Sequence, residues 1–188
     1  MDLIIEKIEY ENFEEVEKDF IPKVLNGNVF HVTNEIGFNG IIKDNYIKNN
    51  QDKKFKYIYG QSEGSFGRVR GYVCLFDLRN KVNIFEKIGE DGYGLLIQYL
   101  NPKSFIFCLK KIEYPSLIEW TEAKIAKENY TKKYVNGDYK TPVDWYNVAD
   151  FECWYPKDIH LNQIEKIIEL KYKKEKDFFE KLSEIGNR

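Results

Sequence analysis

The chain has 188 residues, a net charge of −2 and a pI near 5.9, which fits one ordinary domain and excludes a constitutive nucleic-acid coat protein. Its 43% hydrophobic content, with thirteen Phe and fourteen Tyr, supplies a core and excludes a chain that stays disordered. The start, Met1-Asp2-Leu3-Ile4-Ile5-Glu6-Lys7, lacks the basic-then-apolar order of a secretory signal and no stretch has the length of a membrane span, so the expected location is the cytoplasm.

In chain order, Phe13, Val16, Phe20 and Val24 recur at helical spacing over residues 12–25 and predict an amphipathic helix. Asn26-Gly27-Asn28 stops it, and Val29-Phe30-His31-Val32-Thr33 alternates like a strand. Asn34 is placed to cap a short helix with Ile36, Gly40 and Ile41 on one face. Tyr57 to Gly60 reads as a brief edge strand, Gln61 to Gly67 as a Gly- and Ser-containing loop, and Tyr72–Leu78, Gly94–Leu100 and Lys103–Leu109 as three strands. Asn101-Pro102 turns between the last two. Residues 117–130 read as helical, 131–150 as a long aromatic loop, Phe151–Trp154 as a strand, 159–164 as a short turn and Lys166–Tyr172 as a strand. A closing helix then carries Phe178, Leu182 and Ile185.

Strands outnumber helices and many are hairpin-spaced, which predicts an α+β fold with a largely antiparallel sheet and flanking helices. One domain over 1–188 is expected, with 1–28 as a helical cover, 29–172 as the core and 173–188 as a terminal helix.

Several chemistries lack their motifs: there is no Walker loop, no Gly-x-Gly-x-x-Gly and no Gly-x-Ser-x-Gly elbow. Two histidines, His31 and His160, do not make a multi-His metal site, and Cys74, Cys108 and Cys153 match no zinc pair, so buried free thiols and no metal are expected.

The strand Phe30-His31-Val32-Thr33, the helix from Ile36 to Lys43 and the late Phe151-Glu152-Cys153-Trp154 together resemble the ADP-ribosyltransferase fold, most closely the DarT-like DNA ADP-ribosyltransferases. The resemblance implies a split antiparallel β core, a His-x-Thr strand engaging NAD⁺ through His31 and Thr33, and a catalytic Glu152 beginning a late strand. It also implies a basic residue ahead of a central strand, for which Arg68 and Arg70 both stand before Gly71-Tyr72-Val73. The family's Arg-Ser-Pro strand is replaced here by Phe76-Asp77-Leu78-Arg79-Asn80.

Chemistry alone gives these residues roles. Breaking the nicotinamide–ribose bond builds positive charge on the sugar, which a fixed carboxylate such as Glu152 stabilises. His31 can bond ribose hydroxyls, Arg68 or Arg70 can hold pyrophosphate with a forked set of donors, and Tyr57 or Tyr59 can stack on nicotinamide. Tyr139, Trp145 and Tyr146 lie among the lysines of the 131–147 loop, a composition suited to stacking on single-stranded bases. Each residue also has a plainer reading, as a satisfied strand histidine, an outward-facing glutamate, loop charges and packing tyrosines.

The expectation is a mono-ADP-ribosyltransferase that uses NAD⁺ as co-substrate and modifies nucleic acid, with single-stranded DNA favoured over a protein acceptor. Such an enzyme acts as a toxin or antiphage effector paired with an antitoxin. The alternatives are an RNA 2′-phosphotransferase and an inactive module that binds nucleotides or single strands.

Overall fold

The computed structural model describes residues 4–52, 54–55, 67, 70–79, 100–118 and 152–173. Most of the 57–66 and 94–100 segments, the 119–150 region and the closing helix lie outside these residues. So do six candidate site residues: Tyr57, Tyr59, Arg68, Tyr139, Trp145 and Tyr146.

The described residues form a mixed α+β fold built on a mostly antiparallel sheet of six strands. In chain order the strands are β1 (Ile5–Tyr10), β2 (Val29–Thr33), β3 (Tyr46–Ile47), β4 (Val73–Asp77), β5 (Lys103–Leu109), β6 (Glu152–Tyr155), β7 (Ile159–His160) and β8 (Ile164–Tyr172). The sheet runs β1-β8-β5-β2-β4-β6, and β3 pairs with β7 separately. Only β1 and β8 are parallel neighbours. β5 is a continuous apolar run, Phe105-Ile106-Phe107-Cys108-Leu109, buried throughout because both faces of the sheet are covered.

One cover is the N-terminal helical segment, in which α1 (Phe13–Glu15) runs into π-helical Val16–Leu25. Pro22 lies inside it, and the last turn closes by Asn26 N–H donating to Ile21 O at 3.0 Å, one residue wider than an α-turn. Proline has no N–H and its ring crowds the carbonyl four residues back, so the wider turn relieves both problems. The buried residues are accordingly Val16, Phe20, Ile21 and Leu25, spaced as i, i+4, i+5 and i+9. The expected face held Val24 in place of Ile21 and Leu25; Val24 packs only at the edge of the cluster. These residues meet Phe30, Val32, Ile106, Cys108, Ile168 and Leu170 across the sheet.

The opposite face carries Val29, Phe105, Phe107, Leu75, Cys153, Tyr155 and Ile167, covered by Ile41 of α2 (Glu35–Asp44) and by Ile159, Leu161 and Ile164. The α2 helix starts as expected, with Asn34 Oδ1 accepting from Gly37 N–H at 2.9 Å.

Two readings need correction. Residues 1–28 are not simply a helical cover, since β1 precedes the helix and pairs Ile5 to Tyr10 with Ile167 to Tyr172. Its residues are mostly exposed edge positions without a strong apolar alternation, so the strand is specified by its partner. Gly67, expected in a loop, is helical and buried. Tyr72 N–H donates to Gly67 O at 2.7 Å while Gly71 adopts φ 75°, the geometry that closes a helix through a left-handed glycine.

Candidate active site

Three adjacent strands carry the candidate residues. Phe30 of β2 pairs with Phe76 of β4, which pairs with Glu152 of β6, so one row crosses the three strands; His31, the next residue on β2, projects to the other face of the sheet from Glu152. Glu152 opens β6, and α2 follows the His31 strand directly.

The β2–β4 ladder is short. It consists of Val29↔Asp77 and Phe30↔Phe76, whereas β4 and β6 stay paired from Val73 to Phe76. Beyond Phe30 the two inner strands part, and the His31 side chain takes the place of the missing ladder bonds, with Nδ1 at 3.1 Å from the carbonyl oxygen of Cys74. A carbonyl only accepts, so Nδ1 carries the proton and Nε2 holds a lone pair. Burial lowers the His31 pKa below 6.5, against the opposing effect of that bond, which keeps the ring neutral at physiological pH. The site therefore offers one neutral imidazole acceptor.

Glu152 is partly buried at the start of β6. Trp154, two residues on and hence on the same face, donates its indole N–H to Glu152 Oε1 at 3.0 Å. The Cys74 thiol gives the carboxyl a second hydrogen bond. Desolvation outweighs both and pushes the Glu152 pKa up to about 7. Among the described residues no cation contributes to that shift, which distinguishes Glu152 from surface acids such as Asp44, held low by Lys48. A carboxyl half-ionised near neutrality is suited to accept a proton or to face developing positive charge.

Cys74 thus joins the two groups, its carbonyl holding His31 and its thiol holding Glu152. It is partly exposed, unlike Cys108 and Cys153, so the expectation of three buried thiols holds for two.

Thr33 takes a different place from His31. It is 6% exposed and packs beneath the first turn of α2, where a Cβ on Gly37 would collide with its Oγ1. Its visible part is to set the close approach of helix to strand. Arg70 is exposed in the turn closed by Gly71, immediately before β4, where a basic residue was expected. His160 is a structural residue: its Nδ1 accepts from Asn162 N–H at 3.0 Å and it lies edge-on to Tyr46. Among the described residues no group of three or more His, Cys, Asp or Glu is placed to hold a metal, and no helix is long and apolar enough to cross a membrane.

Sequence reasoning missed Cys74, Trp154 and Gly67. Trp154 was detectable, because i and i+2 on a strand share a face. Cys74 required the cross-strand register, which no local pattern contains. Compared with family models, curated proteins and solved structures, the chain matches none.

Proposed function

We propose that the protein is an NAD⁺-dependent mono-ADP-ribosyltransferase of the ADP-ribosyltransferase fold, with Glu152 as the catalytic carboxylate and His31 as a ribose contact. The observation that carries this reading is the Glu152 carboxyl, raised to about 7 by burial with no cationic partner among the described residues and linked through Cys74 to a neutral His31. The parting of β2 and β4 beside His31 and the helix behind that strand agree with the split core the sequence resemblance implies.

NAD⁺ supplies an ADP-ribosyl group whose bond to nicotinamide breaks with the electron pair leaving on nicotinamide. In this reading His31 Nε2 accepts from a ribose hydroxyl, and Glu152 in its ionised form stabilises positive charge on the sugar ring. Glu152 then takes the proton released as the acceptor bonds to the anomeric carbon. Arg70 offers a forked donor for the pyrophosphate, and Thr33 sets the close approach of α2 to the strand that carries His31. Tyr57, Tyr59 and Arg68 remain proposed contacts for NAD⁺, and Tyr139, Trp145 and Tyr146 for an acceptor, with single-stranded DNA ahead of RNA or protein. In a cell such transfer damages the host, so an effector role with a neutralising partner follows.

Nicotinamide release by the purified protein with millimolar NAD⁺, read by chromatography alongside thermal unfolding, tests the reading. Release together with an NAD⁺-induced rise in Tm is expected. A folded protein with neither release nor a shift refutes it.

A further inference from the structure

Glu152 is a flexible side chain at the first residue of a strand, and a carboxylate that acts on one sugar face has to be held in one orientation. The indole is what holds it. Trp154 is 1% exposed and its N–H is 3.0 Å from Glu152 Oε1. Its backbone is fixed on both sides: it pairs with Cys74 on β4, and on the other edge its N–H and C=O exchange bonds with Ile118 at 3.1 and 2.8 Å. Above the ring lies Gly67, where a Cβ would collide with Trp154 Cδ1, fall 2.5 Å from Nε1 and lie 2.7 Å from Cys74 Sγ. One glycine therefore packs against both groups that hydrogen-bond Glu152. Any larger residue there displaces one or the other.

We infer that Trp154, locked by Gly67 and assisted by the Cys74 thiol, is a positioning residue that fixes the Glu152 carboxylate for transfer. The inference rests on the proposed role of Glu152, but the clamp itself is measurable without any activity. Its effect is directional, because a donated hydrogen bond favours the ionised carboxyl and its loss favours the neutral acid. Among the described residues, Trp154 and the Cys74 thiol are the groups whose hydrogen bonds act on the Glu152 pKa, and His31 bonds the Cys74 carbonyl. Trp154 acts on Glu152 and not on NAD⁺, so its loss falls on kcat and leaves KM for NAD⁺ largely intact.

The chain has three tryptophans, so its indole N–H resonances can be assigned by elimination with Trp120→Phe and Trp145→Phe. Followed from pH 5 to 9, the Trp154 resonance is expected to titrate with one midpoint near neutrality in the parent and to lose that titration in Glu152→Gln. A resonance that stays still, or moves equally in both proteins, overturns the clamp. Transfer by folded Trp154→Phe is expected to fall about tenfold or more in kcat with an unchanged KM for NAD⁺, and the ascending limb of its pH profile should move to higher pH. If that variant misfolds, Cys74→Ala should move the limb in the same direction and Cys74→Ser, which keeps a donor, should restore it. Unchanged profiles in an active protein overturn the positioning role. A parent that titrates but transfers nothing refutes the enzymatic reading and, with it, the role in transfer, while leaving the hydrogen bond established.

Discussion

Replacing Glu152 by Gln removes a charge that the fold holds at a cost, and the cost can be estimated. The carboxyl moves from 4.5 to about 7 through desolvation, and at about 1.4 kcal/mol per tenfold change in protonation that is about 3 kcal/mol for a fully dry site. Glu152 keeps part of its surface, so solvent screens part of this and about 1–3 kcal/mol is the working range. The sign follows from linkage: the folded value exceeds the unfolded one, so the native state binds more protons between pH 4.5 and about 7. Parent stability therefore falls as pH rises through that window, and the full penalty applies above it. Gln has no charge to desolvate, and its amide oxygen can still accept from Trp154. Glu152→Gln should thus unfold close to the parent at pH 4.5 and be more stable at pH 8, by about 2–12 °C in Tm at about 2–4 °C per kcal/mol for a chain of this size. Thermal unfolding of both proteins at the two pH values measures this. An equal difference at both, or a less stable variant at pH 8, refutes the claim that burial raises the Glu152 carboxyl at a cost to stability.

His31 carries the opposite sign: its folded pKa lies below 6.5, so stability is lost as pH falls below that value. In the Glu152→Gln background, His31→Gln should reduce the drop in urea midpoint between pH 7 and pH 5, and His31→Ala should weaken NAD⁺ binding as read by titration calorimetry. Gly37→Ala drives a Cβ into Thr33 Oγ1 and should cost about 1–3 kcal/mol in urea unfolding, with less lost when Thr33→Ala is also present. Gly71→Ala forces a side chain onto φ 75° and should cost about 1 kcal/mol in the same assay. Tyr139→Ala and Trp145→Ala should impair labelling of a macromolecule while sparing slow NAD⁺ hydrolysis, which is checked by running the two assays in parallel.

The parts of the fold legible in the sequence were those written in local pattern. The alternation of Val29–Thr33, the Asn34 cap and the apolar run of β5 each predicted the observed element. β1 was not legible because its exposed residues depend on β8 for their pairing. The π-helical turn was not legible in the regular spacing of Phe13, Val16, Phe20 and Val24, because Pro22 changes which residues face inward. At the site, His31 and Glu152 were found as separate short motifs. What joins them, the carbonyl and thiol of Cys74, depends on strand order and on the point where β2 leaves β4, both set by pairing between distant segments.

The central claim is that Glu152 performs ADP-ribosyl transfer by its charge. The most direct measurement offers NAD⁺ labelled in the adenylate half to single-stranded DNA, RNA and protein, with the parent and Glu152→Gln compared at equal NAD⁺ occupancy. The parent should label nucleic acid, and the variant should lose that labelling about 100-fold or more while still binding NAD⁺. Labelling by Glu152→Gln equal to that by the parent on every acceptor would contradict it.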